Sequence, residues 1–149
     1  MSADEKTTLQ GFLNYLRDAI AAKATGVPEP QVRTPGVPSG TNLLGLVKHL
    51  TAVERYYFLG ETVRSWPATF TPNSTDTVDA VLAGYRQAVD EANAVIDACD
   101  DLTRPAPRSA KPGSAPSMRW LLTHLIEETG RHAGHADIIR EQIDGATGR

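Results

Sequence analysis

The sequence is most informative first through what it has little of. It holds one cysteine, Cys99, in 149 residues, so no internal disulfide can form and the expectation is a reducing, cytoplasmic setting. Aromatic residues make up only 6% of it and methionine occurs twice, so any core must be built from aliphatic side chains. The formal net charge is only −3, which gives no electrostatic case for nucleic acid or an anionic membrane surface as a partner. No apolar run approaches the roughly 20 residues of a membrane span. The segment Met1-Ser2-Ala3-Asp4-Glu5-Lys6 has no basic start followed by an apolar stretch, so no signal peptide is expected. Alternating strand patterns, internal repeats and coiled-coil heptads are all missing.

What remains is helical periodicity. Hydrophobic residues at 40% and charged residues at 22% suit one globular domain spanning 1–149. Leu9, Phe12, Leu13, Leu16, Ala19 and Ile20 form the apolar side of a first helix from near Asp4 to about Thr25. Gln10, Asn14, Arg17, Asp18 and Lys23 fall on its polar side, Ser2 or Asp4 can cap it, and Gly26 with Pro28 ends it. Residues 26–40, with four prolines and three glycines, make a connection too long for a tight turn. Thr41 opens a second helix reaching about Val63, with Leu43, Leu46, Val47, Leu50, Val53 and Tyr57 on its apolar face and His49 beside that face. A connection over 65–75 follows. Ser74 or Thr75 then opens a third helix that runs to about Asp100 on Val78, Val81, Leu82, Tyr85, Val89, Ala92 and Ile96. Residues 101–116 cross irregularly. Ser117 caps the fourth helix, which is anchored by Trp120, Leu121, Leu125, Ile139 and Ile143, and Gly145 lies just past its end. The fold class is all-α, a four-helix bundle with long crossing connections.

Three of the four histidines crowd into the last helix. At about 100° per residue, His124, Glu128, His132 and His135 fall within about 80° of one another. A stripe of imidazoles and a carboxylate on an otherwise apolar face is costly to bury without a partner. These donors suit divalent zinc, nickel or iron, and ligands one helical turn apart can share an ion. Spacing alone leaves three pairs open: His124 with Glu128, Glu128 with His132, and His132 with His135. His49 is the natural third ligand from another helix, and three protein ligands leave room for water or substrate, as catalytic sites require. The bland alternative is a polar stripe facing solvent.

Leu46-Val47-Lys48-His49-Leu50 with Glu54-Arg55-Tyr56-Tyr57, and Glu127-Glu128-Thr129-Gly130-Arg131-His132-Ala133-Gly134-His135-Ala136-Asp137, resemble the DinB-like superfamily over nearly the whole chain. The likeness points to an actinobacterial branch of it. That resemblance implies a bundle with a divalent metal held by a histidine on the second helix and two residues four apart on the last. Where the commonest pattern has a histidine, this sequence has Glu128. In that respect it resembles the mycothiol-dependent maleylpyruvate isomerases, whose zinc is bound by two histidines and a glutamate. The resemblance therefore implies His49, Glu128 and His132 as ligands, with His124 and His135 left as pocket or supporting groups. Those isomerases usually carry a further C-terminal domain, whereas this sequence runs only to Arg149; the expectation is thus a thiol-dependent transferase or isomerase in the wider sense. Zinc, with nickel or iron as alternatives, and a low-molecular-weight thiol such as mycothiol are the implied cofactors, and a small molecule or thiol is the implied partner. A homodimer is also expected.

Other residues carry weaker signals. Metal-assisted hydrolysis, with His135 or Glu54 as base, and a non-catalytic metal-binding bundle are the competing readings. Glu54 is about 140° from His49 around its helix and is expected to pair with Arg131 or Arg55. Cys99, flanked by Asp97 and Asp100, is no nucleophile, because acids raise a thiol's pKa. Tyr56, Tyr57 and Trp120 read as core, and Arg104, Arg108 and Lys111 as a solvated loop that can attract an anion.

Overall fold

The structure, a computed structural model, describes residues 4–108 and 116–148. Four long helices carry it: α1 (Glu5–Ala24), α2 (Leu43–Leu59), α4 (Val78–Ala98) and α5 (Met118–Asp144). A four-residue helix, α3 (Trp66–Thr69), lies in the connection between α2 and α4, and a 3-10 turn (Gln31–Arg33) in the one before α2. No strand occurs among the described residues, only an isolated bridge between Pro105 and Ser117. None of the described helices is long and apolar enough to cross a membrane.

Each helix starts where a side chain satisfies its free N–H groups. Asp4, Asn42, Ser65, Thr77 and Ser117 accept from the backbone N–H three residues on. Asn42, rather than Thr41, therefore opens α2, and Thr77, rather than Ser74 or Thr75, opens α4. The second helix stops at Leu59, short of the expected Val63, because Gly60 takes a left-handed conformation (φ 71°) that ends the ladder. Ser2 lies outside the described residues.

Side-chain pairs fix the helix directions. Arg119 binds Glu5 where α1 and α5 begin, and Lys23 pairs with Asp137 where they end, so α1 and α5 run parallel. Leu46, Val47 and Leu50 pack with Leu82 and Tyr85, while Val53 and Phe58 pack with Ala92 and Ile96, so α2 and α4 also run parallel. Parallel neighbours cannot be joined by a tight turn. The chain after Gly60 must return along α2 before α4 can start, and it passes the level of His49 on the way.

The core departs from simple periodicity on α1. Phe12 is 61% exposed, while Arg17, assigned to the polar side, is buried. Arg17 goes inside because of Glu54. It lies buried on α2 and takes both Nε and Nη2 of Arg17 at 2.7 Å, not Arg55 or Arg131. Asn14 and Asn93 accept from the same guanidinium. Burial pushes the Glu54 carboxyl up, and the Arg17 charge opposes that push. Trp120 is likewise no core anchor: it is half exposed and stacks on His124.

Candidate metal centre

The apolar side of α2 is buried from Leu43 to Phe58, and His49 goes inside with it. Helix α5 crosses that face in the opposite direction, with Glu128 and His132 one turn apart and pointing at His49. A single oxygen, Glu128 Oε1, lies 3.1 Å from His49 Nε2 and 3.1 Å from His132 Nε2. The imidazole rings are 4.8 Å apart, and one ligand atom from each of the three residues fits within 4.8 Å of the others. The side chains of His49 and His132 are buried, and that of Glu128 is partly open to solvent.

Burial pushes the pKa of both imidazoles down, only partly offset by the neighbouring Glu128. Burial alone would push the Glu128 carboxyl up, but hydrogen bonding and charge from His49 and His132 outweigh it and hold the carboxyl below its usual range. The result is two imidazoles favoured neutral around one carboxylate. Such a donor set could hold a divalent cation, whose charge would offset that of the carboxylate. His132 Nδ1 and Thr129 Oγ1 are both buried and without a hydrogen-bond partner among the described residues.

The connection after α2 encloses the cluster. Phe70 stacks on His49 with ring centres 3.8 Å apart and planes 13° apart, and its ring centre is 5.6 Å from that of His132. Trp66 meets His49 edge-on, and Thr69 Oγ1 lies 2.8 Å from His49 Nδ1. Trp66 and Phe70 also line a cleft of 720 Å³, whose other walls include Arg33, Ser39, Thr41 and Asn42. Spacing could not find these groups, because nothing in a sequence says which helix a connection will lie against. Ser65-Trp66-Pro67 does signal a helix start, with a capping serine and a proline in the first turn.

The remaining candidates fall elsewhere. His135 is exposed, its ring centre 5.5 Å from that of His132. His124 is drawn into an aromatic row, stacked on Trp120 and edge-on to Tyr57, and its Nδ1 faces Glu127. Glu54 is held by Arg17 and is not free to act as a base. Cys99 follows α4 and donates to the Asp101 carbonyl. Arg104 is exposed beside Asp100. Arg108 is not simply solvated: it donates to the carbonyls of Tyr56 and Glu61 and lies 3.8 Å over the Tyr56 ring. Lys111 lies outside the described residues.

No curated protein matches the chain, and no solved structure does. A family model described as Mycothiol-S-transferase matches residues 8–145, nearly the full length and including both helices that form the cluster. The chain therefore belongs to the mycothiol S-transferase family, itself part of the DinB-like superfamily.

Proposed function

We propose that the protein is a metal-dependent thiol S-transferase that joins a low-molecular-weight thiol, mycothiol by family, to a small electrophile. One observation carries this reading: two buried imidazole nitrogens from different helices converge on a single carboxylate oxygen at 3.1 Å each. In this reading His49, Glu128 and His132 hold one divalent cation, zinc before nickel or iron, and leave its remaining positions open. Such a cation, when bound, lowers the pKa of a thiol at an open position and keeps the sulfur nucleophilic at neutral pH.

The chain's own groups supply the rest. Phe70 and Trp66 press on His49, exclude water from that side and fix the ring. The adjoining cleft offers the Ser39 and Thr41 hydroxyls, groups suited to a polyhydroxylated thiol, while its Arg33 is held by Glu29 and the carbonyls of Asn73 and Asp76. In this reading His135, exposed beside His132, accepts the thiol proton. In the transfer a carbon–sulfur bond forms, the bond from that carbon to its leaving group breaks, and the thiol proton passes to the base.

The test is direct. The zinc-loaded protein is mixed with mycothiol and an electrophilic aryl halide, and thioether formation is followed against the protein-free rate. Acceleration with mycothiol that falls at least tenfold in Glu128→Ala supports the proposal. A fully zinc-loaded protein that leaves the rate unchanged overturns it.

A further inference from the structure

Thr69 stands on the other side of His49 from Glu128. Its Oγ1 is 2.8 Å from His49 Nδ1 and 2.5 Å from the carbonyl oxygen of Trp66. A hydroxyl has one proton, and a carbonyl can only accept. Two oxygens 2.5 Å apart with no proton between them would repel strongly, so the Thr69 hydroxyl donates to the Trp66 carbonyl. The lone pair that remains can only accept from His49, which puts the ring proton on Nδ1. Nε2 is then left with its lone pair facing Glu128 Oε1 at 3.1 Å. Two acceptors 3.1 Å apart need a proton or a cation between them, and a divalent cation would fill that role while leaving the Nδ1–H on Thr69 undisturbed.

We infer that Thr69 is a positioning residue which selects the His49 tautomer that presents Nε2 to the metal. The inference rests on the metal reading above. The hydrogen-bond chain runs from the Trp66 carbonyl through the Thr69 hydroxyl to the His49 ring, and it is built into one short helix. Ser65 caps that helix by accepting from the Ala68 N–H, and Phe70, the next residue, stacks on the same ring. His132 has no matching support, since its Nδ1 finds no partner among the described residues. The tautomer of the cluster is therefore fixed from the His49 side. A metal-bound histidine commonly has its second nitrogen fixed by such a partner, whose loss weakens metal binding by about 10- to 100-fold.

The experiment compares wild type with Thr69→Val, which keeps the shape and removes the hydroxyl, and Thr69→Ser, which keeps the hydroxyl. Zinc affinity is measured by competition with a chromophoric chelator. The His49 tautomer is read from imidazole nitrogen shifts of the metal-free protein, at a pH where the ring is neutral. Circular dichroism and thermal melting establish that each variant folds. The expected result is a protonated Nδ1 in wild type, an affinity about 10- to 100-fold lower in the valine variant, and recovery to within a few-fold in the serine variant. Valine-variant affinity equal to wild type, or an Nδ1 without its proton in wild-type His49, overturns the inference. A wild type that binds no zinc overturns the metal reading instead, while the nitrogen shifts still decide which tautomer Thr69 selects.

Discussion

Replacing Gly45 with alanine sets two physical rules against each other. Gly45 is the third residue of α2, and inside a helix alanine is favoured over glycine by about 1 kcal/mol. A methyl group there, however, would stand 2.1 Å from the carbonyl oxygen of Phe70. That falls short of ordinary van der Waals contact by more than roughly 1 Å, and the atom it meets is backbone rather than a mobile side-chain tip. Relieving it means moving the connection away from α2, at an overpacking cost of about 1–3 kcal/mol. The clash outweighs the gain in helix propensity, so Gly45→Ala should destabilise the protein by about 1 kcal/mol or somewhat more. The same shift carries Phe70 and Thr69 away from His49, so zinc affinity should fall as well. Urea denaturation gives the first quantity and chelator competition the second. Gly11→Ala is the control: it lies in α1 with nothing within 4 Å of the added carbon, and should stabilise by about 0.5–1 kcal/mol. If Gly45→Ala is as stable as Gly11→Ala and binds zinc like wild type, the connection does not press on α2 as this reasoning requires.

Two further perturbations probe the frame around the site. Glu54→Gln leaves the Arg17 charge buried without its carboxylate, and should cost about 3–5 kcal/mol in urea unfolding. Adding Arg17→Met to that variant should recover much of the loss, since the unpaired charge is then gone; no recovery would mean that the pair is not the source. The Asp76 carboxyl is held below its usual value, chiefly by its hydrogen bond from Lys48 and also by the Asn73 N–H. Its contribution is therefore complete above the usual carboxyl value near pH 4 and is lost as the pH falls through the lower folded value. The stability gap between wild type and Asp76→Asn should be constant from neutral pH down to about pH 5, then close on further acidification. A gap that widens in acid would contradict the assignment.

Most of the helical frame is legible in the sequence, because amphipathic periodicity and end signals act locally. Asp4, Ser117 and Gly145 sit where a reader of caps would put them. Periodicity carries the second helix too far although Gly60 stands in its path, since a glycine's φ is decided by its surroundings and not by its identity. Arg17 changes sides for a tertiary reason. Polarity predicts exposure only until a buried partner such as Glu54 appears on another helix. The convergence of Glu128 and His132 follows from their spacing of four, and the structure brings His49 to them from α2. Thr69, Phe70 and Trp66 are not legible as neighbours of His49. They reach it because α2 and α4 are parallel and the chain must travel back between them, which is a property of topology.

The central claim is that His49, Glu128 and His132 together hold a metal. Elemental analysis of protein purified without an affinity tag, as wild type and as His49→Ala, Glu128→Ala and His132→Ala, tests it most directly. Wild type should carry about one equivalent of a divalent metal, zinc first, and all three variants should lose it. A wild type that carries no metal and takes up none when zinc, nickel or iron is offered would contradict it.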